Sequence, residues 1–258
     1  HVPPVIRDFC AYHQGIVLVT GSPGTGKSTT LAAMINHLNT TRSLNIISLE
    51  DPIEFVHPSQ KSQVIQRELG THLTSFADGV RSAMREDPDV VLVGEMRDAD
   101  TISMAMTAAE TGHLVLGTLH TTSAVKTIDR VIDALPGELR EQTKSFLSQS
   151  LKAVVTQVLV KTPDGRGRKA IMEILVNNRA ISKLIMTDQT HQVPAQLQMG
   201  KDQGMQLLDQ ALMAAIDKNE IDPDDAFRYA LDKKKFQRYV TDSSILPVLD
   251  GDAQAQAG

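Results

Sequence analysis

Residues Ile16 to Thr30 read IVLVTGSPGTGKSTT, and this stretch limits what the rest of the chain can become. A run of β-branched and leucine residues without polar alternation is the pattern of a strand covered on both faces. It leads directly into Gly21, Ser22, Pro23, Gly24, Thr25, Gly26, Lys27, Ser28 and Thr29. A glycine, four residues and then Gly-Lys-Ser is the phosphate-cradling loop pattern, or Walker A motif. Backbone N–H groups left bare at Gly24 and Gly26 curl around phosphate oxygens at a helix N-terminus, where unpaired donors and the helix dipole both favour negative charge. In this reading Lys27 bridges the β- and γ-phosphates, and the Ser28 hydroxyl is a ligand for Mg²⁺. The alternative, a glycine-rich turn closing an αβ unit, leaves Lys27 and Ser28 unexplained.

With 258 residues, 41% of them hydrophobic, the chain can bury a full core and suits one large α/β domain with a smaller appendage. Its formal charge of −5 argues against a nucleic-acid surface, which needs clustered cations for counterion release. The one basic run, Lys233 to Lys235, reads as a solvated helix end. A lone cysteine, Cys10, excludes an internal disulfide framework and a Cys-rich zinc site and fits a reducing compartment. No apolar run reaches the roughly 18 residues of a membrane span, so direct membrane insertion is not expected. The chain opens on His1 and reaches its loop strand almost at once, and an upstream segment is expected to be missing.

Residues 1 to 14 read as a linker running into a short helix. Strands are predicted at Gly15 to Thr20, Asn45 to Leu49, Asp87 to Glu95 and Leu114 to Thr118, with an edge strand at Gln63 to Leu69 and a hairpin pairing Val154 to Lys161 with Arg168 to Val176. Helices are predicted at Lys27 to Leu38, Phe76 to Met84, Thr101 to Thr111, Ala124 to Ala134 and Glu138 to Ser150. After Asn177 the pattern turns helical, over Ile181 to Met186, Val193 to Met199, Met205 to Lys218 and Pro223 to Leu231. The tail from Asp242 has too little apolar content to fold.

Two acidic features fall at strand ends, where ligands sit in open α/β sheets. Glu50-Asp51-Pro52-Ile53-Glu54 follows the second strand, and a carboxylate there polarises the water that attacks a γ-phosphate; a solvated turn is the alternative reading. Asp87 to Glu95 reads as a hydrophobic strand that delivers Glu95 to the metal or its water, and it is expected to lie beside the loop strand. His120 lies just past the end of the next strand, and His113 precedes it. A strand-end histidine beside a nucleotide senses the γ-phosphate by hydrogen bonding, or is an ordinary satisfied polar residue.

Taken together, GSPGTGKST from Gly21, LEDPIEF from Leu49, VGEMRD from Val93 and TGHLVLGTLHTTSAVKTIDR from Thr111 resemble the Walker A, Asp box, Walker B and His box of the secretion ATPase superfamily, in particular the PilT-type retraction ATPases of bacterial type IV pili. The resemblance implies a RecA-like P-loop core over residues 15–176, a C-terminal helical subdomain over 177–240, and an N-terminal PAS-like domain that this chain lacks. It implies ATP and Mg²⁺ as cofactors, Lys27 and Ser28 on phosphate and metal, Glu54 on the attacking water, Glu95 at the metal, and His113 and His120 supporting the site and its coupling to neighbours. Motors of this kind use arginines that stabilise transferred charge, for which Arg81, Arg85, Arg97, Arg130 and Arg168 are candidates. The implied assembly is a homo-hexameric ring at the cytoplasmic side of the inner membrane, working on a platform protein of the pilus machine, with a paralogous pilus ATPase as a candidate second partner.

Two departures stand out. The loop interior reads Ser-Pro-Gly-Thr where the family more often has Pro-Thr-Gly-Ser, and the family's AIRNLI helix motif appears as Ala180-Ile181-Ser182-Lys183-Leu184-Ile185. Retraction is favoured over extension by the PilT-like run from Thr121 to Arg130 and by the absence of a four-cysteine zinc site. The alternatives are a PilU-like accessory, another secretion or DNA-uptake ATPase, and a nucleotide-gated scaffold with little turnover.

Overall fold

The computed structural model describes residues 3–246. Its framework is one seven-stranded sheet built from β1 (Gly15–Thr20), β2 (Asn45–Glu50), β3 (Gln63–Glu68), β4 (Val90–Val93), β5 (Leu114–Leu119), β6 (Leu151–Lys161) and β7 (Arg168–Val176), in the order β3-β2-β4-β5-β1-β6-β7. The first six are mutually parallel, and β7 returns antiparallel along β6 as the predicted hairpin. The fold class expected from the sequence is therefore the one found.

The apolar runs are explained by helices on both faces. In β1, Ile16 and Leu18 enter one hydrophobic cluster while Val17 and Val19 enter the other, as the two-residue strand period requires. One face is covered by α1 (Val5–Phe9) and α2 (Lys27–Thr41). Leu31, Met34, Ile35 and Leu38 of α2 are all buried there, each contributing about 1.5–3 kcal/mol relative to exposure. The opposite face carries α3 (Phe76–Ala83), α4 (Ala99–Glu110), α5 (Ala124–Ala134), α6 (Arg140–Ser150), α7 (Arg179–Met186) and α8 (Val193–Met199). A third cluster sets α9 (Leu208–Asp217), α10 (Pro223–Tyr229) and α11 (Lys233–Phe236) against Val160 of β6 and Ile171 of β7.

Several expectations change. The strand bearing Glu95 is not beside the loop strand: β5 pairs with both β1 and β4 and lies between them. Residues 177–240 are not one packing unit, since Ile181, Ile185, Val193 and Leu197 join the main core and only α9 to α11 form a separate cluster. Met205 to Leu207 is not helical, because the Gln206 backbone exchanges two hydrogen bonds with Ile174 of β7 and extends the sheet edge. The short helix expected within residues 1 to 14 is α1, and it is part of the core rather than a free linker, with Ile6, Phe9 and then Cys10 buried against α2. Burial pushes the Cys10 thiol up to about 11, with Arg42 opposing, so it is not a nucleophile at neutral pH. Lys233 is not simply solvated: its ammonium donates to the carbonyls of Phe227 and Arg228 (2.8 Å to the latter) and closes the C-terminus of α10. Of the tail, residues 243–245 form a single 3₁₀ turn, and Asp224 accepts from the backbone of Thr241 and Asp242; the part from 247 lies outside the described residues.

Candidate active site

Parallel strands share one carboxyl edge, and the four segments singled out above converge on it: the loop 21–26 after β1, residues 51–55 after β2, 94–97 after β4 and 120–123 after β5. Gly21, Gly24 and Gly26 have φ of 141°, 76° and 87°, the left-handed region that side chains disfavour. At Gly21 the restriction is also spatial, because a Cβ would lie 2.4 Å from the Gln157 carbonyl oxygen. Helices α3, α4 and α5 each have a side-chain cap, from Ser75, Asp98 and Ser123, whereas the N-cap of α2 is Gly26 and offers none. The first N–H groups of α2 are therefore not spoken for by a side chain, and Ser28 and Thr29 beside them are exposed.

Lys27 is only 9% exposed. Its ammonium donates to the carbonyls of Gly21 (2.9 Å) and Ser22 (3.1 Å) and lies 3.4 Å from His120 Nδ1. Burial lowers its pKa, and the charges of Glu95 and Glu54 pull the other way. On the far side of the same imidazole, Nε2 lies 2.6 Å from Glu95 Oε1. A lysine ammonium cannot accept, so Nδ1 is the acceptor and Nε2 carries the proton that Glu95 receives. Interposing β5 between β1 and β4 is what allows His120 to bridge the lysine and the carboxylate. Burial raises the Glu95 carboxyl, but the hydrogen bond from Arg97 and the charges of His120 and Arg97 outweigh it, and the net shift is downward. Both hydrogen bonds fall on Oε1, which leaves Oε2 engaged by neither.

Gly94 sets the position of Glu95. Its N–H donates to Leu49 O at 2.7 Å, and a Cβ there would lie 2.9 Å from that oxygen and 3.2 Å from Glu50 Cα. The ends of β2 and β4 can approach this closely only because the residue is glycine. Ser28, Glu50, Asp51, Glu54 and Glu95 line one cleft of about 70 Å³. Its outer wall is braced from β3: Gln66 accepts from His57 N and donates to Phe55 O, both at 2.8 Å, and Glu68 accepts from Ile53 N at 3.0 Å.

Not every predicted residue reaches the cleft. His113 sits at the start of β5, at the opposite edge of the sheet, where Nδ1 donates to Ala108 O at 2.8 Å and ties down the end of α4. Six strand residues lie between it and His120, a distance of about 23 Å, so it cannot act on a ligand bound at Lys27 of the same chain. Among the arginines, Arg97 pairs with Glu95, and Arg130 donates to Arg97 O at 3.2 Å. Arg168 borders the other flank of the loop. Arg81, paired to Asp78, and Arg85 are exposed on and just beyond α3.

Two functional side chains were missed because a single buried polar residue inside a strand gives no sequence pattern. Gln157 of β6, 2% exposed, donates to Thr25 O and accepts from Thr30 Oγ1 (2.7 Å), strapping the loop to the start of α2. Gln157→Leu is expected to cost about 1–3 kcal/mol of stability through the orphaned Thr25 carbonyl and Thr30 hydroxyl and to weaken phosphate-ligand binding, read by denaturation and calorimetry. Glu173 of β7, 4% exposed, accepts from Ala124 N (2.8 Å) and Leu208 N (3.4 Å), joining the N-termini of α5 and α9. Its pKa is raised by burial against the pull of those two N–H donors. A carboxyl whose folded pKa exceeds its unfolded value contributes stability that is complete below the unfolded value and is lost as pH rises through the folded one. Melting temperatures of the wild type should therefore fall across that window, and Glu173→Gln should flatten the decline.

A phosphate-cradling loop, a strand-end carboxylate and a bridging histidine on the carboxyl edge of a parallel sheet define a P-loop nucleotide-binding protein of the RecA-like type. Residues 5–222 match the family described as type II/IV secretion system protein. The chain is 53% identical over 228 residues to a twitching motility protein of Neisseria gonorrhoeae, covering 88% of this chain and 61% of that one. It is 52% identical over 213 residues to the type IV pilus retraction ATPase PilT of Pseudomonas aeruginosa, covering 83% and 62% respectively. The crystal structure of the pilus retraction motor PilT with bound ADP superposes with a TM-score of 0.85 at 43% identity, covering 92% of this chain and 67% of that one. The chain belongs to the type II/IV secretion system protein family. It spans about three fifths of the length of the curated relatives it matches, 61% and 62%. No helix among the described residues is long and apolar enough to cross a membrane.

Proposed function

We propose that the chain is the ATP-hydrolysing part of a PilT-type retraction motor. The observation that carries this reading is the Lys27–His120–Glu95 chain of contacts at the mouth of a glycine-rich loop, with Ser28 and Glu54 in the same cleft. The P. aeruginosa relative is by its name a retraction ATPase, and the PilT structure holds ADP.

The residues present suit Mg²⁺. The Ser28 hydroxyl and the Glu95 carboxylate, with Glu50 and Asp51 nearby, are the hard oxygen donors that this ion takes together with substrate phosphates. Held there, it would supply charge neutralisation for the transferred phosphate. The chain's own groups do the rest. N–H groups of the loop and of the first turn of α2 hold the phosphate oxygens, and Lys27 exchanges its His120 contact for a γ-oxygen. Glu54 orients a water and takes its proton as the water oxygen bonds to phosphorus and the bond to the leaving ADP oxygen breaks. His120, released by Lys27 and still bonded to Glu95, reports the state of the γ-phosphate to the 120–123 loop and α5. Arg97 and Arg130 are the best placed of the five arginines to meet transferred charge within the subunit.

The motor acts as a homo-hexameric ring at the cytoplasmic face of the inner membrane, on a pilus platform protein. The test is complementation of a piliated bacterium whose own retraction ATPase gene is deleted. Wild type should restore twitching and normal pilus number, and Lys27→Ala should leave excess pili that do not retract. Bald cells with the wild type would contradict the direction of work, and unchanged excess pili would leave the accessory, PilU-like reading as the better one.

A further inference from the structure

Under the first turn of α5 the sheet face changes character. Leu18, Val154 and Leu175 belong to the apolar cluster there, but the next row toward the carboxyl edge is polar across three strands. Thr20 of β1 stands opposite Thr156 of β6, and Thr156 stands opposite Glu173 of β7. Thr20, Thr156 and Thr127 of α5 are 0%, 1% and 0% exposed. A buried hydroxyl without a partner is costly, and these are partners for one another. Thr20 Oγ1 and Thr156 Oγ1 are 2.9 Å apart, and Thr127 Oγ1 lies 3.5 Å from Thr20 Oγ1 and 2.6 Å from Thr121 Oγ1. Thr127 Oγ1 donates to Ser123 O at 2.7 Å, so the Thr121 hydroxyl is the donor in the shortest of these contacts.

A threonine that bonds back to the carbonyl four residues earlier is satisfied within its own helix and needs no other partner. Thr127 has two more, and they flank the Lys27–His120 contact from both sides. Thr20 precedes Gly21, whose carbonyl accepts from Lys27, and Thr121 follows His120. The His120 side chain is 41% exposed, so packing alone does not fix it. Its 3.4 Å contact with the Lys27 ammonium is at the long end for a hydrogen bond, and a shift of roughly half an ångström in either segment would break it. We infer that Thr127 is a positioning residue for the hydrolysis proposed above: its hydroxyl ties the 120–123 loop to the end of β1 and thereby sets His120 between Lys27 and Glu95. This rests on the reading of the cleft as an ATP-hydrolysing site and adds what holds its histidine in register. Glu173, in the same polar row, fixes the start of α5 from the other side through Ala124 N, so the helix that carries Thr127 is itself anchored.

The test removes the hydroxyl and keeps the shape. Thr127→Val leaves Thr20 its bond to Thr156 and leaves Ser123 O its bond from Thr127 N, so only the tie is lost. On the 258-residue protein, kcat for phosphate release should fall by about tenfold through the displaced histidine, with MgATP affinity by calorimetry unchanged. Thr127→Ser should restore the wild-type rate. Thr121→Val removes the same tie from the loop side and should match Thr127→Val; its result stands even if Thr127→Val fails to fold. The imidazole ¹⁵N signals of His120, assigned by their absence from His120→Ala, give the second readout. Wild type should show a protonated Nε2 and a bare Nδ1, and the valine variants a mixture of the two tautomers. Folded valine variants with wild-type His120 signals, or with altered signals and undiminished turnover, overturn the proposal, as does a serine variant that fails to restore the rate. A wild type that releases no phosphate, while the valine variants still alter the His120 signals, overturns the hydrolysis reading and leaves the setting of His120 by Thr127 in place.

Discussion

Lys27→Ala is expected to slow ATP hydrolysis by at least about a hundredfold, the scale seen when one preorganised charge-stabilising donor is removed. The geometry says why no neighbour substitutes. The ammonium is nearly buried, fixed by the carbonyls of Gly21 and Ser22, and is the cation that meets His120. Arg97, the cation paired with Glu95, is committed to that carboxylate. Affinity for MgATP should fall as well, since the lysine contacts the ground-state phosphates. Stability should change by no more than about 2 kcal/mol, because two carbonyls losing a donor are offset by relief of a desolvated ammonium. Phosphate release and thermal melting on the same preparation check both parts. A variant that melts like wild type and turns over at the wild-type rate would remove Lys27 from the mechanism.

Glu95→Gln is expected to give the second large effect, a loss of turnover of about a hundredfold with MgATP affinity kept within a few-fold. The carboxylate sits under opposing forces: burial works against its charge, and Arg97 and His120 hold it ionised. An amide fills the same space beside Gly94 but brings no negative charge, so His120 loses the partner that fixes its Nε2 proton and Oε2 no longer offers an anion to the metal side of the cleft. Nucleotide binding by calorimetry, set beside phosphate release at saturating ATP, separates this outcome from misfolding. An equal loss in binding and turnover would mean that Glu95 holds the ground state only.

The sheet was legible because its strands are covered on both faces and so read as uninterrupted apolar runs. The glycine and lysine pattern at 21–28 marked the loop because that conformation admits few other residues. Strand order was not legible. Nothing in Val90 to Val93 or Leu114 to Leu119 says which of them adjoins β1, and the assumption that Glu95 sits beside the loop strand failed on that point. His113 and His120 look alike in sequence, and only the direction of β5 puts one at the site and the other at the far edge. Gln157 and Glu173 were invisible for a different reason, since their importance lies in donors and acceptors contributed by residues far away in the chain. The start of α9 was misread because Gln206 satisfies its backbone through Ile174 of β7, a tertiary contact that overrides the helical spacing of Met205 to Lys218.

In the proposed mechanism Lys27, His120 and Glu95 act together on one bound ATP. Its most direct test is steady-state phosphate release at saturating MgATP by the wild type and by Glu95→Gln, with MgATP affinity measured on both. Matched affinities and a variant slower by about a hundredfold are expected. Equal rates in the two proteins, with binding intact, would contradict it.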